Sequence, residues 1–297
     1  MKAENLIIDG RHLLFRCSDA FRELVADGVG TGGVYGFLSA ASRVHSRYGG
    51  KTAVAWEGKG NFRLKLYPHY KKKDEVDPER ERIRSEMTRQ QKVLEKLLHV
   101  LGVDQHWGVG CEADDVIGRL AHTAAGTVVI YTGDSDLRQL IDPEGRITVV
   151  SPGFKTDTAY AWADVIKRHG VPPTLLAQLK AIAGDTSDAI PGAVGIGDKT
   201  AATLLNHYGS LKAVLAAAEA EDALWPETPR RCKLIKEAAD NIRMYYQLTR
   251  VRRTLPCRKL VGARDQKAVL EKFKELKFRS LSYPAELSAL LAMGGPK

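Results

Sequence analysis

Three short apolar runs in this chain each stop at a carboxylate. LIID ends on Asp9, AVAWE ends on Glu57, and VVIY runs into TGDSD with Asp134 and Asp136. Two further segments carry acids close together, CEADD with Glu112, Asp114 and Asp115, and GDTSD with Asp185 and Asp188. Apolar runs of this length, bounded by turn residues and separated by helical spacing, read as strands of an α/β fold with a mostly parallel sheet. Such sheets are covered on both faces, and their ligands bind beyond the carboxyl ends of the strands. Five segments therefore offer carboxylates toward one rim. Carboxylates held together resist ionising unless a cation neutralises them. All-oxygen donors with no matching His or Cys set fit Mg²⁺ or Mn²⁺.

Spacing predicts strands at 5–8, 52–56, 127–131 and 147–150, and helices at 11–25, 34–48, 116–124 and 175–183. Ile83, Met87, Leu94, Leu97, Leu98 and Leu101 continue a helical period that Gly102 stops. Past about residue 165 no strand is read, and short helices alternate with turns. The chain has 297 residues and a formal net charge of +9, from 45 Lys and Arg against 36 acids. That excess favours a polyanionic partner. Cys17, Cys111, Cys232 and Cys257 form no C-x-x-C pair, which argues against a zinc knuckle or a disulfide framework. The N-terminus lacks a secretory apolar region, and the expected location is the cytoplasm.

Each acidic motif has a plainer reading. CEADD could serve the positive end of a helix dipole, and GDSD could be a turn or an N-cap. Recurrence on one rim is what favours metal. Gly28, Gly30 and Gly33 match a dinucleotide fingerprint in spacing, but a helix precedes them where a strand is required. Gly192, Gly197, Lys199 and Thr200 resemble a phosphate loop, yet Asp198 interrupts the G-K pair. PGAVGIGDKTA reads better as a hairpin between short helices. There Gly195 and Gly197 let main-chain N–H groups approach a phosphate and Lys199 adds a charge. In RLKLYPHYKKK, Arg63, Lys71, Lys72 and Lys73 interleave with Tyr67 and Tyr70, a composition suited to single-stranded nucleic acid.

Taken together, LIIDGRHLLFR, CEADD, TGDSDLRQL and LKAIAGDTSDAIPGAVGIGDKTA resemble the flap endonuclease family of structure-specific 5′ nucleases, in order from about residue 5 to about residue 256. The family includes phage enzymes and the N-terminal nuclease of bacterial DNA polymerase I. The resemblance implies a PIN-like nuclease domain over 1–165, with a helical arch at about 62–90. It also implies a helical DNA-binding region over 166–297, with a helix-hairpin-helix at about 184–206 that often holds a potassium ion. Asp9, Glu57, Glu112 and Asp114 would hold one metal, with Asp115 nearby. Asp134, Asp136, Asp185 and Asp188 would hold or position a second. Lys71 would offset charge on the scissile phosphate, with Arg63 a second choice, and Tyr70 and Lys71 match the arch's Y-K element. Lys72, Lys73, Gly195, Gly197, Lys199 and Thr200 would contact DNA. Glu57 stands where the family usually has Asp, and Asp74 where an arginine is common.

The implied activity is Mg²⁺-dependent cleavage of DNA at 5′ ends and single-strand/duplex junctions, extending to RNA/DNA hybrids. The expected form is a monomer, with any replication polymerase a separate protein. A non-catalytic junction binder and a PIN-type ribonuclease are the alternatives.

Overall fold

The computed structural model describes residues 2–72, 78–153 and 156–295, with Arg80 described by its main chain only. In chain order the strands are β1 (Asn5–Asp9), β2 (Val25–Ala26), β3 (Val29–Gly30), β4 (Lys51–Lys59), β5 (Asp104–Val109), β6 (Val128–Tyr131), β7 (Ile147–Ser151), β8 (Thr158–Tyr160) and β9 (Cys257–Leu260). Seven of them form one sheet in the order β8-β7-β6-β1-β4-β5-β9.

The inner pairings are parallel, whereas β8 on β7 and β9 on β5 are antiparallel. The sheet is therefore mixed, which corrects the expectation of a PIN-like sheet. β9 also corrects the reading that no strand lies past residue 165. From β1 the chain crosses to β4 on one side and later to β6 on the other, so the strand order reverses at β1. In an open α/β sheet that reversal leaves a crevice at the carboxyl ends of the strands.

Alternation along the strands divides the core. Ile7, Ala55, Ile130 and Val149 face one way and join a cluster continuous with the helices of the second region, through Leu179, Ile182, Leu204 and Leu248. Leu6, Ile8, Val54, Trp56 and Val129 face the other way. They are covered by the helices Gly10–Ala20, Gly32–Tyr48 and Pro78–Val100. Val269, Phe273, Leu287 and Leu290, from the helices Gln266–Glu275 and Pro284–Ala292, belong to that same cluster. The end of the predicted helical region thus returns to the sheet of the first region.

The predicted helix over 11–25 ends early, at Ala20, and gives way to the β2–β3 hairpin. Asp27 and Gly28 take φ of 49° and 77°, the two left-handed positions of a tight hairpin turn. Gly33 is required for a different reason, since a Cβ there would lie 2.3 Å from the Ser18 hydroxyl and 2.7 Å from Oε1 of Gln90. The glycine fingerprint is thus hairpin and close packing.

Candidate active site

Asp9 closes β1 and caps the helix that follows. Its Oδ1 accepts from the amide of His12 at 3.0 Å, and its Oδ2 accepts from the Thr132 hydroxyl at 2.8 Å. Thr132 also accepts from the amide of Asp134 at 3.0 Å, so one hydroxyl fixes the ends of two adjacent strands. Asp9 is thus an N-cap that also has a place on the rim. Across the crevice Glu112 precedes the helix Ala113–Thr123, which carries Asp114 in its first turn. Asp9, Glu57, Glu112, Asp114 and Asp134 line one cleft of about 730 Å³, and Lys71 reaches into it. Phe15, Ile83 and Met87 supply its apolar wall.

Electrostatics marks this cleft as a cation site. Burial pushes the Asp114 carboxyl well up, and the charges of Asp134, Asp9 and Glu112 add to the shift. Burial also raises Asp9, against the hydrogen bonds from His12 and Thr132. Groups arranged to resist ionising are stabilised as anions by a divalent ion, and the all-oxygen donor set fits a hard one. Glu57 is on the rim but already paired, with Arg11 at 2.7 Å.

The second acidic set lies beside the first. Asp136, Asp185 and Asp188 bring carboxylate oxygens within 4.8 Å of one another, a spacing that could hold a metal ion. Asp136 follows β6, and the other two follow the helix Leu176–Ala183, so this cluster joins the two regions. Burial raises Asp136 to about 6, against the opposing charge of Lys180. Lys180 donates to Asp136 and, at 2.6 Å, to Asp185. Burial alone would raise Asp185, but that ammonium and Ser187 hold it below the usual range. Sequence reasoning missed Lys180, although it is the one charged residue in LLAQLKAIA.

Tyr70 and Lys71 tie the two sets together. Tyr70 is buried, and its hydroxyl lies 3.0 Å from Glu112 Oε2 and 3.0 Å from Asp188 Oδ2. Lys71 Nζ donates to Glu112 Oε1 at 2.7 Å. Its side chain remains 43% exposed, enough to exchange one anion for another. The amide of Lys71 donates to the carbonyl of Asp188 at 2.9 Å, which docks this turn on the second region.

Other expected site residues are placed elsewhere. Arg63 is not a phosphate-facing cation. It is 2% exposed and gives Asp115 two bonds of 2.6 and 2.9 Å, with a third to the carbonyl of Leu248 at 2.7 Å. Asp115 is correspondingly not a metal ligand. It is sealed, and its oxygens also accept from the amides of Glu112 and Arg252. Thr200 is buried within the helix Asp198–Tyr208 and cannot meet DNA, whereas Gly195, Gly197 and Lys199 are exposed. Lys72 is exposed, while Lys73 and Asp74 lie outside the described residues.

Two family models cover nearly the whole chain. Residues 4–170 match the N-terminal resolvase-like domain of 5′-3′ exonucleases. Residues 171–274 match the C-terminal SAM fold of the same enzymes. The chain belongs to the 5′-3′ exonuclease family. The first model also replaces the PIN-like label, since the domain is described as resolvase-like. A 5′-3′ exonuclease of Streptomyces coelicolor is 32% identical over 263 residues, covering 84% of this chain and 87% of that protein. DNA polymerase I of Chloroflexus aurantiacus is 35% identical over 92% of this chain, which spans only 29% of that polymerase. Among solved structures, the T5 5′-exonuclease with bound divalent metal ions (zinc) superposes with a TM-score of 0.67 at 18% identity, covering 97% of this chain and 98% of that one.

Proposed function

We propose that this protein is a divalent-metal-dependent, structure-specific 5′ nuclease that hydrolyses DNA phosphodiester bonds at 5′ ends and single-strand/duplex junctions. The observation that carries the reading is the convergence of Asp9, Glu112, Asp114 and Asp134 on one cleft at the strand-order reversal, with Asp136, Asp185 and Asp188 beside it. Binding alone gains nothing from acids that repel phosphate. Asp9, Glu112, Asp114 and Asp134 would hold one Mg²⁺ or Mn²⁺ ion, and Asp136, Asp185 and Asp188 a second. When bound, such ions supply Lewis acidity at the phosphate and a nucleophile at neutral pH.

The chain's own residues do the rest. Tyr70 keeps Glu112 and Asp188 at a fixed separation. Lys71 lies in the cleft, paired with Glu112, and its ammonium is placed to offset charge on the scissile phosphate. The exposed amides about Gly195 and Gly197, with Lys199, grip duplex backbone without reading bases. Specificity then follows nucleic-acid shape, and binding weakens as salt rises.

The test is cleavage of a 5′-flap DNA with Mg²⁺ by the wild type and by Asp134→Asn. Metal-dependent cutting by the wild type is expected, slowed at least about 100-fold in the variant. Tight flap binding by the wild type without metal-dependent cutting would instead establish a junction-binding protein.

A further inference from the structure

A cavity of about 1140 Å³ opens at the end of the sheet away from the acidic rim. Lys51 and Asp104, the first residues of β4 and β5, line it. Asp9 and Asp134 lie at the opposite ends of β1 and β6, which run parallel to β4 in the same sheet. The helices Gln266–Glu275 and Pro284–Ala292 supply the facing wall.

The lining is unbalanced in charge. Among the described residues, Lys51, Lys259 and Arg264 face it against the one carboxylate of Asp104. Asp104 is buried and already pairs with both ammoniums, at 2.9 Å from Lys259 and 3.4 Å from Lys51. One carboxylate cannot neutralise two cations, and the Lys51 and Lys259 side chains remain 69% and 43% exposed to a further anion. Arg264 donates to the carbonyls of Leu291 and Gly295, which leaves its charge unmet.

The same lining is also apolar. Val261, just past β9, is 60% exposed, and Leu270 is exposed beside it in the cavity wall. Leu287 and Leu291 stand four residues apart and so share one face of their helix. An exposed aliphatic patch rimmed by charged residues marks a protein-binding surface. DNA fits it poorly, because Asp104 would repel phosphate and aliphatic side chains offer the backbone no hydrogen bond.

We propose that this groove docks a partner protein, through a peptide segment that combines aspartate or glutamate with bulky aliphatic or aromatic residues. Its acids meet Lys51 and Lys259, and its apolar side chains lie over Val261, Leu270 and Leu291. The docking is independent of the nuclease reading, since no residue of this groove lines the acidic cleft.

Random peptides displayed on phage are selected on the full chain and counter-selected on the double variant carrying Lys51→Glu and Val261→Ser. Clones that prefer the wild type should be rich in Asp or Glu together with Leu, Ile or Phe. A synthetic peptide made from them, followed by fluorescence anisotropy, should bind each single variant at least about 10-fold more weakly, through like-charge repulsion in one and lost apolar contact in the other. Ser288→Trp, which fills the groove without changing its charge, should block the same peptide. Melting curves check that the variants fold, and Ser288→Trp replaces the double variant in the counter-selection if that one does not. Absence of wild-type-selective clones, or clones of basic composition, overturns the proposal. A flap-DNA affinity, measured in a chelator, that falls in Lys51→Glu as far as the peptide's does would give the surface to nucleic acid and overturn it too. A wild-type dimer in sedimentation that Ser288→Trp dissociates would seat a second copy of the chain there and overturn the peptide.

Discussion

Replacing Arg63 with methionine separates a structural arginine from a catalytic one. The side chain is sealed between the two regions, and it bonds to both oxygens of Asp115 and to the carbonyls of Leu248 and Arg250. Burial works against its charge, but Asp115 and Glu112 outweigh that and hold the guanidinium more firmly protonated than usual. Methionine fills much of the volume and leaves Asp115 buried with no cation. Removing one partner of a buried pair costs about 3–5 kcal/mol, because the other charge is left uncompensated. At a denaturant slope of about 2 kcal/mol per molar, the urea midpoint falls by about 2 M. Equilibrium unfolding of Arg63→Met, Asp115→Asn and the double variant reads the effect. The double variant should lose less than the sum of the singles, since the two side chains act as a unit. A variant that keeps its stability within about 1 kcal/mol, yet loses flap cleavage, would refute this placement and restore Arg63 to the substrate.

Removing metal should make stability depend on pH. Asp9, Asp114 and Asp136 have folded-state pKa values above their ordinary ones, Asp136 at about 6. Folding therefore favours their protonated forms, and stability in EDTA should fall as pH rises from the ordinary carboxylate range through the folded values. Mg²⁺ should raise the melting temperature more at pH 7.5 than at pH 5, where protons compete for the same oxygens. Lys180→Met should cost about 1–3 kcal/mol in EDTA by leaving Asp136 and Asp185 without their shared donor, and less in Mg²⁺, as denaturant titration in the two buffers would show. Gly195 has φ of +87°, so Gly195→Ala should cost about 1–2 kcal/mol of strain and weaken flap binding, measured by urea unfolding and by fluorescence anisotropy.

β1 and β6, the strands that lead to Asp9 and Asp134, were legible because their residues are apolar and buried on both faces. β5 was not, since it reads DQHWGV. Its polar side chains are buried because they find partners far off in sequence. Asp104 pairs with Lys51 and Lys259, and Gln105 joins the indole of Trp56 to the carbonyl of Glu95. Hydrophobic periodicity cannot register a strand whose burial depends on such bonds. The acidic motifs were visible as types, but the division of labour within CEADD was not. Glu112 and Asp114 face the cleft while Asp115, next in sequence, faces Arg63, because successive helical residues point about 100° apart. Arg63 and Thr200 look like ligand-binding residues in sequence, and only packing shows them turned inward.

The antiparallel return of β9 has a consequence for the order of folding. Gln105 pairs with Leu260 and Gly108 with Cys257, and Phe273 and Leu290 complete the core that Leu6 and Trp56 begin. A ribosome delivering this chain from its N-terminus therefore exposes an unfinished layer until the last helices emerge. Long-range pairing of this kind slows folding and leaves apolar surface and a sheet edge open meanwhile. Cutting the chain after residue 256 would uncover the β5 edge and part of the core while sparing every acidic residue of the rim. The lesion would then show as aggregation during synthesis, in a protein whose chemistry is otherwise intact.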